Sequence, residues 1–173
     1  TSPAPLIDLP VSKWDKLLNV NARATLLLAQ AAYPALKESK GALVAVASMS
    51  GMGAHPGMGA YSPSKAALIS LCQVLAQEWA CDGINVNTVS PGMIRTPLTQ
   101  KVYENNQIAK ERAALVPWGR VGNPEDISNV ISFLLSPEAN YITGQNILVD
   151  GGFVDSLYRH IPGLPDSSEI DKT

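Results

Sequence analysis

The sequence predicts an α/β fold, a parallel sheet layered with helices, and three observations carry that expectation. Three short runs, "ALVAVAS", "INVNTVS" and "GQNILVDGG", have the character of strands buried on both faces of a parallel sheet. Between them the apolar residues switch to helical spacing over stretches long enough for a crossover. Gly41 and Gly83 fall where two of the helical stretches should stop. Strands separated by helices of this length imply right-handed parallel crossovers.

Taken in order, "TSPAPLIDLP" carries three prolines and reads as an irregular, loosely packed lead-in. Ser12 is the N-cap candidate of the first helix, and Asp15 three residues on gives a partial capping box. That helix keeps its spacing to Ser39, with a bend expected at Pro34. After "ALVAVAS" comes "SMSGMGAHPGMGAYSPSK", a glycine-rich connection over residues 48–65. The second long helix runs from about Tyr61 to Asp82, with Leu68, Leu71, Leu75 and Trp79 on one stripe. "INVNTVS" is the second strand, and short helices are expected from "PGMIRTPLTQ" to "VPWGRVGNP". "PEDISNVISFLLSPE" opens with proline and acids, as a helix N-terminus should, and "GQNILVDGG" closes the order. Three strands make a small sheet with an edge to cover, so the chain reads as incomplete on its N-terminal side.

A chain of 173 residues, 46% apolar and 16% charged, is long enough for one globular domain. A net charge of -2 without a cluster of Lys or Arg gives no footprint for nucleic acid or an anionic membrane, which leaves a small-molecule partner. The run "ATLLLAQAAYPAL" is too short to span a bilayer, and the N-terminus shows no signal core, so a cytoplasmic protein is expected. Cys72 and Cys81 stand at a spacing that suits neither a disulfide framework nor a zinc site; no metal is expected.

The glycine-rich connection admits two chemistries. Gly51, Gly53 and Gly57 make a GxGxxxG after a strand, the setting of a phosphate cradle. That reading expects an acidic residue at the end of the next strand, and "NTVSPG" has none. The other reading starts from Ser48, Tyr61 and Lys65. Tyr61 and Lys65 stand four apart, on one helical face, and a cation fixed beside a phenol favours the phenolate. Ser48 could then hold a substrate oxygen while Tyr61 moves its proton, the glycines letting the loop turn back. The bland alternative is a surface YxxxK pair. A serine hydrolase built on Ser48 or Ser64 with Lys65 lacks a nucleophile elbow.

"SMSGMGAHPGMGAYSPSKAAL" closely resembles the active-site segment of the short-chain dehydrogenase/reductase family, in which a serine stands thirteen residues before the tyrosine of a YxxxK, as Ser48 does before Tyr61. "NVNARA", "INVNTVSPGMIRTPL" and "GRVGNPEDISNVISFLLSPEANYITGQNILVDGG" carry the resemblance further, in the family's order, from about Leu6 to Phe153. The resemblance implies the C-terminal portion of a Rossmann-like doubly wound sheet over residues 1–153, followed by a tail over 154–173. It implies an oxidoreductase moving a hydride between NAD or NADP and an alcohol or carbonyl substrate. Tyr61 would be the acid/base, Lys65 would hold the nicotinamide ribose and lower the tyrosine pKa, and Ser48 would orient the carbonyl. Asn21 matches the helix asparagine of the proton relay, with Asn19 the nearby competitor. Pro91, Gly92, Ile94 and Thr96 match the loop that approaches the carboxamide.

The family's TGxxxGxG and NNAG segments have no counterpart in the chain, so the choice between NAD and NADP has no residue here. A separate N-terminal part is therefore expected as a partner, and the alternative is a truncated or non-catalytic subunit. Met49, His55 and Met93 are candidates to line the substrate pocket, with Gly53 and the segment around Leu98 to Leu115. The two long helices resemble those of the family's four-helix subunit contacts, which implies a tetramer. Pro63 inside YxxxK removes a helix donor and makes the spacing of Tyr61 and Lys65 conditional on where the helix starts. In the tail, Phe153, Leu157 and Tyr158 are expected to pack on a neighbouring subunit or the substrate pocket, and "PDSSEIDKT" to be frayed.

Overall fold

The structure is a computed structural model and describes residues 3–162. Among these, the strands are β1 (Ala42–Val46), β2 (Asn85–Pro91) and β3 (Asn146–Val149), parallel throughout and in the order β1-β2-β3. The helices are α1 (Val11–Leu18), α2 (Ala24–Ser39), α3 (Tyr61–Trp79), α4 (Gln100–Tyr103), α5 (Asn106–Leu115) and α6 (Pro124–Leu134). The final nine residues expected to fray lie outside the described residues.

Side chains alternate across the sheet, and each face has its own core. Leu43, Ala45, Ala47 and Val86 meet Leu68, Ile69, Cys72, Leu75 and Trp79 of α3 and Ala29 of α2. Val44, Val89, Ile147 and Val149 meet Ile127 and Leu134 of α6 on the other face. The crossover from β1 to β2 therefore uses one face and that from β2 to β3 the other, while the sheet advances in one direction. The two crossovers have opposite hands, which corrects the expectation that both are right-handed. The long connection over residues 92–123 carries the chain around to the second face and makes this possible.

The first helical stretch also departs from its sequence reading. Lys13 and Trp14 N–H both donate to the Pro10 carbonyl, so the helix begins at Val11 with Pro10 at its N-cap. Ser12 already lies inside it, and neither Ser12 nor Asp15 caps. A five-residue π-turn at Asn19–Arg23 then interrupts the helix before α2; such turns insert one residue without breaking the axis and recur at functional sites. The chain stays helical through Pro34, which forfeits only the bond to the Gln30 carbonyl. At the far end, Tyr33 Oη donates to Asp82 at 2.6 Å and Lys37 Nζ lies 2.6 Å from the same carboxylate, tying α2 to the end of α3.

Three polar residues of β2, Asn87, Thr88 and Ser90, are almost completely buried. Asn87 Nδ2 donates to the Ile142 carbonyl at 2.7 Å and its Oδ1 accepts from Gln145 N–H at 3.0 Å. Thr88 and Ser90 hydroxyls donate to Asn146 Oδ1 at 2.9 and 2.7 Å. These bonds fasten the segment before β3 onto β2, which matters because β3 has only four residues.

Both cysteines are free, Cys72 buried in the core and Cys81 exposed. Burial pushes the Cys72 thiol from 9.0 up to about 11. A thiol reagent at about pH 8 is expected to titrate one cysteine in the native chain and two after unfolding. As pH rises past 9.0 the unfolded chain loses this proton first, so Cys72 withdraws stability until its folded value is passed. Two native thiols reacting at equal rates would contradict this packing.

Candidate functional site

All three strands run parallel, so the loops that leave their carboxyl ends gather on one rim of the sheet, where ligand crevices form in this architecture. Ser48 lies just past β1, residues 92–96 just past β2, and α3 begins on the same rim.

Ser48 is buried and extended, at φ -173° and ψ 153°. Its Oγ accepts from Ser50 N–H at 3.1 Å, which leaves its own proton free to donate elsewhere. The next residues wind into a short 3-10 turn, Met49–Gly51. The amides of Gly51, Met52 and Gly53 are used up on the carbonyls of Ser48 and Met49 at 2.9 to 3.0 Å. That removes the phosphate-cradle reading, which needs those donors turned outward. What Gly51 provides is proximity: a Cβ there would lie 2.9 Å from the Lys65 carbonyl carbon and 2.9 Å from Ile69 Cδ1. The turn carrying Ser48 thus packs directly on the first turns of α3.

Tyr61 is the first residue of α3 and Ala60 its N-cap, so Pro63 falls at the third position. Its missing N–H is one of the four without an intrahelical partner, and the helix tolerates it unkinked. Tyr61 and Lys65 therefore keep their one-turn relation, with Lys65 Nζ 6.0 Å from the Tyr61 ring centroid. The hydrogen bond from Lys65 goes to the Val46 carbonyl of β1, at 2.9 Å. Burial pushes the lysine ammonium below its usual range.

Asn21 lies in the π-turn, and its Nδ2 donates to Ser64 Oγ at 2.9 Å. Ser64 is fully buried and donates in turn to the Tyr61 carbonyl at 2.7 Å. Ser64 is thus a positioning group between the π-turn and the tyrosine, a role that sequence reasoning missed. Of the two serines open to a serine-lysine hydrolase, Ser64 has its hydroxyl already engaged on both sides.

The loop after β2 is fixed from two directions. Gly92 N–H donates to the Val149 carbonyl at 2.9 Å, and a Cβ at Gly92 would sit 2.5 Å from Asp150 Cβ. Ile94 bridges Gly122, and Thr99 Oγ1 donates to the Ile94 carbonyl at 2.8 Å. Thr96 Oγ1 lies 3.2 Å from Thr99 Oγ1. Arg120 grips Asp126 through two bonds of 2.7 and 2.9 Å, holding that carboxyl far below the usual carboxylate range and completing a capping box with Asn123.

The substrate-pocket candidates are not gathered in one place. His55 and Gly53 line an open groove with Leu6, Met52 and Pro63, and His55 Nδ1 lies 3.0 Å from Ser50 Oγ. Met93 lines a separate cavity with Trp118, Arg120 and Asp150.

The residues brought to the rim offer a hydroxyl donor at Ser48, a phenol and an ammonium on one helical turn, and a further hydroxyl at Thr96, held by Thr99. This donor set fits the ribose and amide of a nicotinamide and the oxygen of a small carbonyl compound. Among the described residues no helix is long and apolar enough to cross a membrane.

A family model described as Enoyl-(Acyl carrier protein) reductase matches residues 1–154. A bovine protein named Dehydrogenase/reductase SDR family member 4 is 38% identical over 153 residues, covering 88% of this chain and 55% of its own length. The 3-oxoacyl-[acyl-carrier-protein] reductase FabG of Thermotoga maritima is 40% identical over 156 residues, covering 89% of this chain and 62% of its own. A solved 4-hydroxyisoleucine dehydrogenase complexed with NADH superposes with a TM-score of 0.83 at 35% identity, over 89% of this chain and 64% of that one. The chain thus covers between 55% and 64% of the length of these three relatives.

Proposed function

Because the chain belongs to the short-chain dehydrogenase/reductase family, with the Rossmann fold of its structural relatives, we propose that it is the catalytic portion of a cytoplasmic, NAD(P)-dependent oxidoreductase interconverting a secondary alcohol and a ketone. The observation that carries this reading is the packing of the Ser48 turn onto α3 at Gly51, beside the turn that bears Tyr61 and Lys65.

The bound nicotinamide supplies the hydride acceptor or donor. The chain supplies the proton chemistry. Ser48, its Oγ already accepting from Ser50, donates to the substrate oxygen and fixes its position. Tyr61 gives or takes the proton at that oxygen. Lys65 would hold ribose hydroxyls, and Thr96 and the Ile94 backbone would face the carboxamide. Asn21 acts on the tyrosine turn through Ser64. NADH in the related dehydrogenase supports the cofactor class; the choice of NAD or NADP depends on adenosine contacts outside residues 1–153.

The rest of the reading is an N-terminal part that completes cofactor binding and a tetramer assembled through α2 and α3. Exposed Val20, Leu27, Leu28 and Val74 around these helices support the assembly, and exposed Leu157 and Tyr158 offer the tail a further contact.

The test joins the portion of the Thermotoga relative that precedes its match to this chain and follows nicotinamide fluorescence on adding NADH or NADPH. Binding followed by ketone-dependent oxidation is the expected result. Binding without turnover across a panel of ketones would favour the second reading, a non-catalytic dehydrogenase-like subunit, and a folded product that binds neither cofactor would sink both.

A further inference from the structure

Ser48 and Tyr61 sit on separate pieces of backbone, and the connection between them has little stiffness of its own. Gly53, Gly57 and Gly59 lie along it, the last two at φ 77° and 58°, and glycine leaves a chain its widest freedom. His55 stands in the middle of this connection and holds both ends. Its backbone N–H donates to Ser62 Oγ at 3.2 Å, in the first turn of α3 and next to Tyr61. Its Nδ1 lies 3.0 Å from Ser50 Oγ. Ser50 in turn donates its N–H to Ser48 Oγ at 3.1 Å.

Counting partners assigns the side-chain bond. Ser50 is buried, and among the described residues its hydroxyl has no acceptor besides His55, so the imidazole Nδ1 takes its hydrogen. This bond fixes the side chain of the residue whose N–H is aimed at the Ser48 hydroxyl. The 3-10 bonds of the turn hold Gly51, Met52 and Gly53 on the Ser48 and Met49 carbonyls, and none of them touches that hydroxyl. The orientation of Ser48 Oγ therefore depends on Ser50, and the Ser50 side chain on His55.

We propose that His55 is a positioning residue, a strap that ties the Ser48 turn to the Tyr61 turn through Ser50 and Ser62 and so keeps the two hydroxyls at a fixed separation. Its consequence for turnover rests on the dehydrogenase reading above; the strap itself does not. The role differs from that of a pocket wall, because it acts through Ser50 and needs no contact with the substrate. A ring without Nδ1 would leave the Ser50 hydroxyl hydrogen unpaired and loosen the amide that holds Ser48. Asparagine, which places a polar atom where Nδ1 stands, would restore the bond.

Amide hydrogen exchange on the chain and steady-state kinetics on the Thermotoga chimera described above test this with three variants. Exchange at the Ser50 amide should quicken about 3- to 10-fold in His55→Phe and in Ser50→Ala, the loss of one ordinary hydrogen bond, and stay near the parent rate in His55→Asn. In the chimera, kcat for a ketone should fall by the same factor in the first two variants, with KM for the nicotinamide unchanged. The double variant should be no slower than either single one, because both remove one bond. Should His55→Phe fail to fold, Ser50→Ala, which removes only a hydroxyl, reads the same bond. Unchanged Ser50 exchange in the folded variants overturns the proposal, as does an asparagine variant that behaves like the phenylalanine one. Turnover lost in His55→Phe but kept in Ser50→Ala also overturns it and puts His55 on the substrate. A parent chimera that reduces no ketone defeats the dehydrogenase reading alone, and the exchange rates then decide the strap.

Discussion

Replacing Tyr61 with phenylalanine is expected to lower turnover by about 10²- to 10⁴-fold, the range for loss of a positioned proton-transfer group, with cofactor binding and thermal midpoint nearly unchanged. Among the described residues the Tyr61 hydroxyl makes none of the hydrogen bonds that hold the fold; the tyrosine is placed through its backbone, by Met58 and Ser64 carbonyl and hydroxyl contacts. The substitution should therefore leave the rim intact and remove only the proton. The comparison is made on the protein completed with an N-terminal part, by steady-state kinetics, nicotinamide fluorescence and thermal unfolding together. Equal losses of turnover and cofactor binding would count against an acid/base role, and a large fall in midpoint would make Tyr61 a structural residue.

The largest expected effect on stability comes from a residue with no part in the chemistry. Asn87→Ala should cost about 2 to 4 kcal/mol, because it leaves the part-buried Ile142 carbonyl and Gln145 N–H without their partners and empties a fully buried side-chain site. Both belong to the segment that delivers β3, so the loss should appear as a lower denaturant midpoint. It should also appear as faster amide exchange in β3 before β1. A change below roughly 1 kcal/mol would mean that these groups find other partners.

What the sequence disclosed and what it withheld divide by distance along the chain. Ser48, Tyr61 and Lys65 fall within one strand-loop-helix unit, so their spacing together with the resemblance of the surrounding segment makes them candidates, and the strands and α3 follow from runs whose period is local. The Asn21–Ser64 bond joins residues 43 apart, and the one from Lys65 to Val46 spans 19; neither leaves a mark in periodicity. The π-turn was hidden for a related reason, since one inserted residue shifts the helical stripe too little to break it. Ser12 has the right chemistry for an N-cap, but the carbonyl of Pro10 opens the helix two residues earlier. In β2, the string N-V-N-T-V-S reads as a buried strand, and is one, though four of its six residues are polar; what makes that burial tolerable is Asn146, Gln145 and Ile142, more than fifty residues away.

The parallel sheet also sets a clock. Thr88 and Asn146, paired across β2 and β3, are 58 residues apart in the chain, so that contact waits on the closure of a long loop. Helices of this length relax on the order of a microsecond, long before the strands have neighbours. During that interval β1 offers unpaired backbone on both sides to any other chain in the tube. Recovery of folded material from denaturant should then depend on protein concentration more than on final stability, with dilution as the effective remedy.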